Sequence, residues 1–227
     1  MSSSDTSPPL VTIFVLSAAA LAYEVLLIRL FSIIHWHHFA FMVISIALLG
    51  YGASGSMITV FQRGLLQRYG SVLVFNAVMF GLSTIVCFAA VQKLPFNALE
   101  ILWDTSQWLR LFLSYILLTL PFFFVANAIA LTMARYHDRI ALVYGVDLIG
   151  AGIGAVAILM LLQLYSPDDV LRFISVLGIA AGLFAVRLLA CLGRLIISSL
   201  LALLVVIVLF SPSSWLALKI SEYKGLE

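Results

Sequence analysis

The sequence predicts an all-α fold: a polytopic membrane helix bundle of about seven transmembrane helices. Three observations carry that prediction. Of 227 residues, 64% are hydrophobic and only 10% are charged, against about 25% charged in an ordinary globular chain. So few charges cannot cover a water-soluble surface, and the mean hydropathy of +1.19 agrees; the bilayer is the solvent. The apolar residues also fall in continuous runs rather than strict alternation, which suits helices that satisfy their own backbone in lipid and not a barrel. Finally, arginines and tryptophans alternate between successive connections, as a chain crossing back and forth requires.

The first run, 10–34, follows MSSSDTSPPL, which has no basic n-region, and it contains Glu24 and Arg29. It reads as a retained span, not a cleaved signal peptide. Further runs cover 38–60, 71–92, 108–134, 140–164, 170–190 and 194–211, each able to cross about 30 Å of hydrocarbon at 1.5 Å per residue. Residues 94–103, LPFNALEILW, are too few to cross and are expected to lie in the interface. Pro121 inside the fourth run removes a ladder hydrogen bond, so a kink is expected there. The domain division is therefore a transmembrane domain over 1–211 and an extramembrane tail over 212–227. What lies outside the runs is divided among short connections and two ends, so no soluble catalytic domain fits.

On side A, which holds the N-terminus, the connections carry Arg63 and Arg68, then Arg135 and Arg139, then Arg187 and Arg194. Side B receives Trp36, Trp103, Trp108 and Trp215 and the acidic residues Glu100, Asp104, Asp168 and Asp169. The remaining basic residues, Arg29, Lys93, Arg110, Arg172, Lys219 and Lys224, fall toward side B. Because side A concentrates its arginines in short loops, the positive-inside rule favours a cytoplasmic N-terminus and a multi-pass protein of the cell inner (plasma) membrane. A net charge of +2 with no basic run excludes nucleic acid as a partner. Cys87 and Cys191 stand apart, with no CxxC and no His at zinc spacing, and read as small apolar fillers.

Ionisable groups at membrane depth carry the most information, because a charge there costs at least ~2.5–3.5 kcal/mol. Glu24 lies ~21 Å from side A by helical rise, and Arg29, nearer side B, can snorkel to the headgroups. Five residues put them about 140° apart on one helix, a poor pairing geometry. Glu24 is expected to face another helix, with Ser45 of the second span at similar depth to solvate it. Asp147 lies roughly 10 Å into the fifth span; Asn127, on the antiparallel fourth, comes to nearly the same depth, so an Asp147–Asn127 contact is expected. Glu24, Arg29, Ser45, Asn127 and Asp147 form the candidate intramembrane polar site, either a proton or small-cation site or a set of packing anchors.

The glycines of Asp147-Leu-Ile-Gly150-Ala-Gly152-Ile-Gly154 do not read as a dinucleotide turn, since no strand precedes them and apolar residues surround them. Gly150 and Gly154 instead form GxxxG, which lets a neighbouring backbone approach. Gly50, Gly52 and Gly55 make a similar small-residue face on the second span, and the two faces are expected to mark tightly packed spans, with packing against one another as one arrangement. His35, His37 and His38 at the first side-B turn are the only grouped metal-ligand types, but three ligands within four residues leave awkward geometry, and no carboxylate or Cys joins them. They read as part of an interfacial belt, and no metal or other cofactor is expected. Lys93, Lys219 and Lys224 all lie in loops or the tail, so none can form a buried retinal Schiff base. No Ser/His/Asp, Cys/His or carboxylate-pair arrangement occurs on a loop, so intrinsic catalysis is not expected.

Five strings together resemble one family: AYEVLLIRLFS at 22–32, HFAFMVISIALLGYGASG at 38–55, LPFFFVANAIAL at 120–131, VYGVDLIGAGIGA at 143–155 and ISEYKGLE at 220–227. They resemble the N-terminal membrane half of bacterial fused membrane (major-facilitator-like)/spermidine-synthase-like proteins. Tyr23, Glu24, Arg29, Asp147 and the 150–154 glycines match the recurrent pattern of that half. The resemblance implies that a soluble spermidine-synthase-like (aminopropyltransferase) domain continues beyond Glu227 or is supplied separately, and no residue here matches its catalytic set. The expected role is a noncatalytic module that anchors such a domain or handles a small cationic ligand of the polyamine class, with the lipid bilayer as its surroundings. The alternatives are a stand-alone proton-coupled small-molecule transporter using Glu24, or a structural subunit packed against another membrane subunit.

Overall fold

The structure, a computed structural model, describes residues 7–34, 40–94, 103–189 and 191–209. They form seven α-helices and, among the described residues, no strand: α1 (Leu10–Ile34), α2 (Ala40–Gln67), α3 (Tyr69–Val91), α4 (Ser106–Arg135), α5 (Ile140–Leu164), α6 (Pro167–Ala185) and α7 (Cys191–Leu209). This is the expected all-α helix bundle. Helices α1 to α6 are long and apolar enough to cross a membrane. The apolar stretch of α7, Arg194–Leu209, is shorter; its 16 residues rise about 24 Å, less than the ~30 Å of a hydrocarbon core. Within the described residues, then, six helices have the length and composition for a crossing, and the described part of α7 is shorter. The histidine cluster at 35–38, most of the interfacial stretch 94–103, and the tail 212–227 lie outside the described residues.

Helix ends follow local chemistry. Ser166 opens α6 by accepting from the Asp169 backbone N–H at 3.4 Å and donating to Asp169 Oδ2 at 2.8 Å. Pro167 occupies the first helical position, where its missing N–H costs nothing, and Asp168 and Asp169 oppose the positive end of the dipole. At the start of α4, Asp104 accepts from the Ser106 backbone N–H at 2.9 Å and from the Ser106 hydroxyl at 2.6 Å. Helix α4 then runs unbroken through Pro121 to Arg135.

Lipid supplies no hydrophobic force between helices, so packing and buried hydrogen bonds must hold them. Three close crossings do so. On α5, a Cβ at Gly150 would lie 2.6 Å from the Phe14 carbonyl oxygen, and one at Gly154 would overlap the Ala18 backbone, so α1 and α5 meet backbone to backbone. Gly81 of α3 meets Gly178 and Ile179 of α6, and Ser175 donates across this seam to the Gly81 carbonyl at 2.5 Å. Gly50 of α2 abuts Phe122 and Phe123 of α4. A Cβ at Gly52 or Gly55 would meet nothing within 4 Å, so the small-residue faces of α2 and α5 do not pack on each other as expected. Each uses its glycines on a different neighbour.

The core between α1, α3 and α4 is aromatic: Tyr23 stands edge-on to Phe80 with ring centres 6.4 Å apart and tilts over Phe122 at 5.4 Å. Such pairs add about 0.5–1.5 kcal/mol each beyond area burial. Near the other end of the α3–α4 seam, Tyr69 Oη and Thr132 Oγ1 lie 3.0 Å apart, and Thr132 donates to the Ala128 carbonyl at 2.8 Å. Helix α5 buries only Val143, Gly150, Gly154 and Ile158, a single narrow stripe. Its other faces, with Leu148, Ile149, Ile153 and Val156, remain open to lipid.

Two outcomes test this account. Gly154→Val should destabilise the protein by about 1–3 kcal/mol by forcing α1 away, while Gly152→Ala, in open space, should leave stability unchanged or raise it by up to about 1 kcal/mol; equal losses on detergent unfolding would contradict the crossing. The Ser106 hydrogen bonds to Asp104 hold its carboxyl below the ordinary 3.8. The Asp104–Ser106 link is therefore present above that value and lost as pH falls through the lowered one. Amide exchange at Ser106, corrected for intrinsic rate, should accelerate across that acid range in wild type and show no such step in Asp104→Ala.

Candidate functional site

The α1–α5 crossing sets one turn of each helix beside the other, and there Ser17 Oγ lies 2.5 Å from Asp147 Oδ1. Ser17 Oγ also lies 2.8 Å from the Ile13 carbonyl of its own helix. One hydroxyl proton cannot fully serve both acceptors, so the Asp147 carboxylate is incompletely matched. Around it α1, α2, α4 and α5 enclose a cleft of about 310 Å³. The space exists because the walls are built from residues that stop at Cα or Cβ: Ala20, Gly55, Ala126, Ala130 and Ala151.

Helix α2 adds two hydroxyls on one face, Tyr51 and Ser54. Ser54 is 1% exposed and its Oγ has no hydrogen-bond partner, an arrangement that costs roughly 1–3 kcal/mol unless a ligand or water completes it. Tyr51 and Asp147 line the cleft together. Ser17, Leu21 and Glu24 succeed one another on the same α1 face, at spacings of four and then three residues. Glu24 is half-buried, and among the described residues no Lys, Arg or His pairs with it or with Asp147. Two carboxylates at membrane depth thus share a region with hydroxyls and no counter-charge.

The sequence-derived candidates divide. Asp147 lines the cleft, and Glu24 lies on the α1 face that carries the cleft residues Ser17 and Leu21. Asn127 does not join them: it is 2% exposed and donates from Nδ2 to Met57 Sδ of α2 at 3.6 Å, leaving Oδ1 without a partner. The expected Asp147–Asn127 contact is replaced by Asp147–Ser17, because α5 crosses α1 closely and touches α4 little. Ser45 lies on the exposed face of α2 in line with Phe41 and Leu48, so it does not solvate Glu24. Arg29 is exposed near the end of α1 and stands apart from the cleft. Ser17, Tyr51 and Ser54 were not among the expected residues; the signal for Ser17 was its seven-residue spacing from Glu24. Among the described residues no group of three or more His, Cys, Asp or Glu gathers to hold a metal. His137 and Asp138 pair at 3.2 Å on the open surface.

No protein-family model, curated protein or solved structure matches the chain.

The cleft hydroxyl and the packing hydroxyl should respond differently to removal. Ser54→Ala should raise stability, by up to about 1–3 kcal/mol, because it removes a buried hydroxyl without a partner, whereas Ser175→Ala should cost about 1 kcal/mol by removing the α3–α6 link. Unfolding in a fixed detergent compares the two, and an equal cost would mean that Ser54 is already satisfied.

Proposed function

We propose that this multi-pass membrane protein binds a small organic cation of the polyamine class in the cleft at Asp147, as the membrane module of a spermidine-synthase-like system. One observation carries the reading: a half-buried carboxylate, hydrogen-bonded only to Ser17, opens onto a cleft and has no basic partner among the described residues. Here an ammonium group would supply the missing cation, with the Ser54 and Tyr51 hydroxyls as further acceptors.

Glu24 argues for more than one amine. It lies seven residues from Ser17 along α1, about 10 Å by helical rise, so two carboxylates stand at a spacing that an extended diamine or triamine can bridge. The resemblance to the membrane half of fused synthase-like proteins gives the amine its class, and a soluble domain or a second membrane subunit is then the partner that makes or consumes it. The same reading puts the chain in the plasma membrane with its N-terminus cytoplasmic, from the arginine asymmetry of the short connections.

A second reading, a stand-alone transporter coupled to protonation, is favoured by the lack of a basic partner for Glu24 among the described residues. It differs in one outcome: pH-dependent flux in proteoliposomes containing this chain alone, lost in Glu24→Gln.

Equilibrium binding of spermidine to the protein in nanodiscs tests the main proposal. Asp147→Asn should weaken binding about tenfold or more, and Glu24→Gln should weaken spermidine while sparing a monoamine of similar bulk. No spermidine binding, or equal binding by wild type and Asp147→Asn, would overturn it.

A further inference from the structure

A second cleft, of about 440 Å³, lies where the end of α5, the first turns of α6 and the end of α7 converge. Its polar lining is Tyr165, Asp169 and Arg172, and its apolar lining includes Leu161, Phe173 and Leu209. Arg172 is only 9% exposed. Its Nη1 stands 3.8 Å from Asp169 Oδ1, at the long limit of an ion pair, and its Nε and Nη2 have no hydrogen-bond partner.

Arginine keeps its charge in any protein environment and presents its donors in a rigid fork. Burying that charge with three of its five donors unused is costly. The nearby carboxylate does not cure this, since Asp169 also takes part in the cap of α6 through Ser166. The Nε and Nη2 hydrogens lie on one edge of the guanidinium, the edge that binds two oxygens of a phosphate side by side. An anion with two oxygens is the missing partner.

The surroundings select the source of that anion. Phe173 and Leu209 are 46% and 51% exposed beside the buried guanidinium, so the cleft offers an ionic floor and an oily wall together. Free phosphate would use only the floor. We infer that this cleft binds a membrane phospholipid, with its phosphodiester on the Nε/Nη2 edge of Arg172 and its acyl chains along Leu161, Phe173 and Leu209. The half-exposed carboxylate of Asp169 at the rim disfavours an anionic headgroup and suits a primary ammonium, so the ligand class is an amine-headed, zwitterionic phospholipid. The site is separate from the Asp147 cleft and does not depend on its ligand.

Native mass spectrometry of the full chain, released from detergent with added lipids, tests this. Wild type should retain phosphatidylethanolamine in preference to phosphatidylglycerol. Arg172→Met, which keeps the bulk and removes the charge, should retain about tenfold less, while Arg187→Met, an exposed arginine just beyond the other end of α6, should match wild type. Asp169→Asn should reduce the preference for the amine headgroup, which keeps the proposal testable if Arg172→Met does not fold. Unchanged adducts in Arg172→Met, an equal loss in Arg187→Met, a wild-type preference for phosphatidylglycerol, or displacement of the lipid by millimolar inorganic phosphate would each overturn it, the last by making free phosphate the ligand.

Discussion

The close crossing of α1 on α5 is the contact on which the arrangement of the polar residues depends. Glycines at 150 and 154 let the α5 backbone reach the carbonyls of Phe14 and Ala18, and at that separation a short Ser side chain spans to Asp147. In lipid there is no gain from hiding one apolar helix against another, so association is driven by how many atoms touch and which polar groups find partners. A methyl group at either glycine would push the helices apart and strand the carboxylate. The same physics repeats at Gly81 and Gly178 between α3 and α6, where Ser175 supplies the crossing hydrogen bond.

A half-buried acid and a buried base stand in mirror situations at two levels of the bundle. Asp147 is an acid without a cation, set in a cleft lined with hydroxyls. Arg172 is a base whose acid neighbour is distant and engaged elsewhere. The penalty for an isolated charge in a low-dielectric setting is far larger than that for a paired one, so each is a place where a ligand of opposite sign would be held. The ordinary solution, a short ion pair within the chain, is absent at both positions among the described residues.

The element pattern was open to direct reading because each helix must satisfy its backbone alone. The runs expected at 10–34 and 140–164 coincide with α1 and α5, and the run at 71–92 differs from α3 by two residues at its start and one at its end. Helix α2 continues past the expected end at 60 to Gln67 because Arg63 is exposed and interrupts the apolar pattern without interrupting the hydrogen-bond ladder. The GxxxG of α5 was also legible. That of α6, Gly178-Ile-Ala-Ala-Gly182, carries the same signal and closes the α3 crossing. Depth along a helix, counted at 1.5 Å per residue, matched Asp147 to a partner at its own level, but counting cannot distinguish Asn127 on α4 from Ser17 on α1 when both lie there.

From sequence alone, then, come the solvent, the helices and the rarity of charge at membrane depth, since composition and continuity of apolar runs are properties of each segment by itself. Which helix meets which is a property of pairs. It is decided by the rotation of each helix about its axis and by where small residues on one coincide with backbone on another. Tertiary structure therefore turned Asn127 toward Met57, left Ser45 facing outward, and brought Ser17, Tyr51 and Ser54 to Asp147. It also buried Arg172 in a cleft that no spacing along the chain foretold, because that burial arises where the ends of three helices converge.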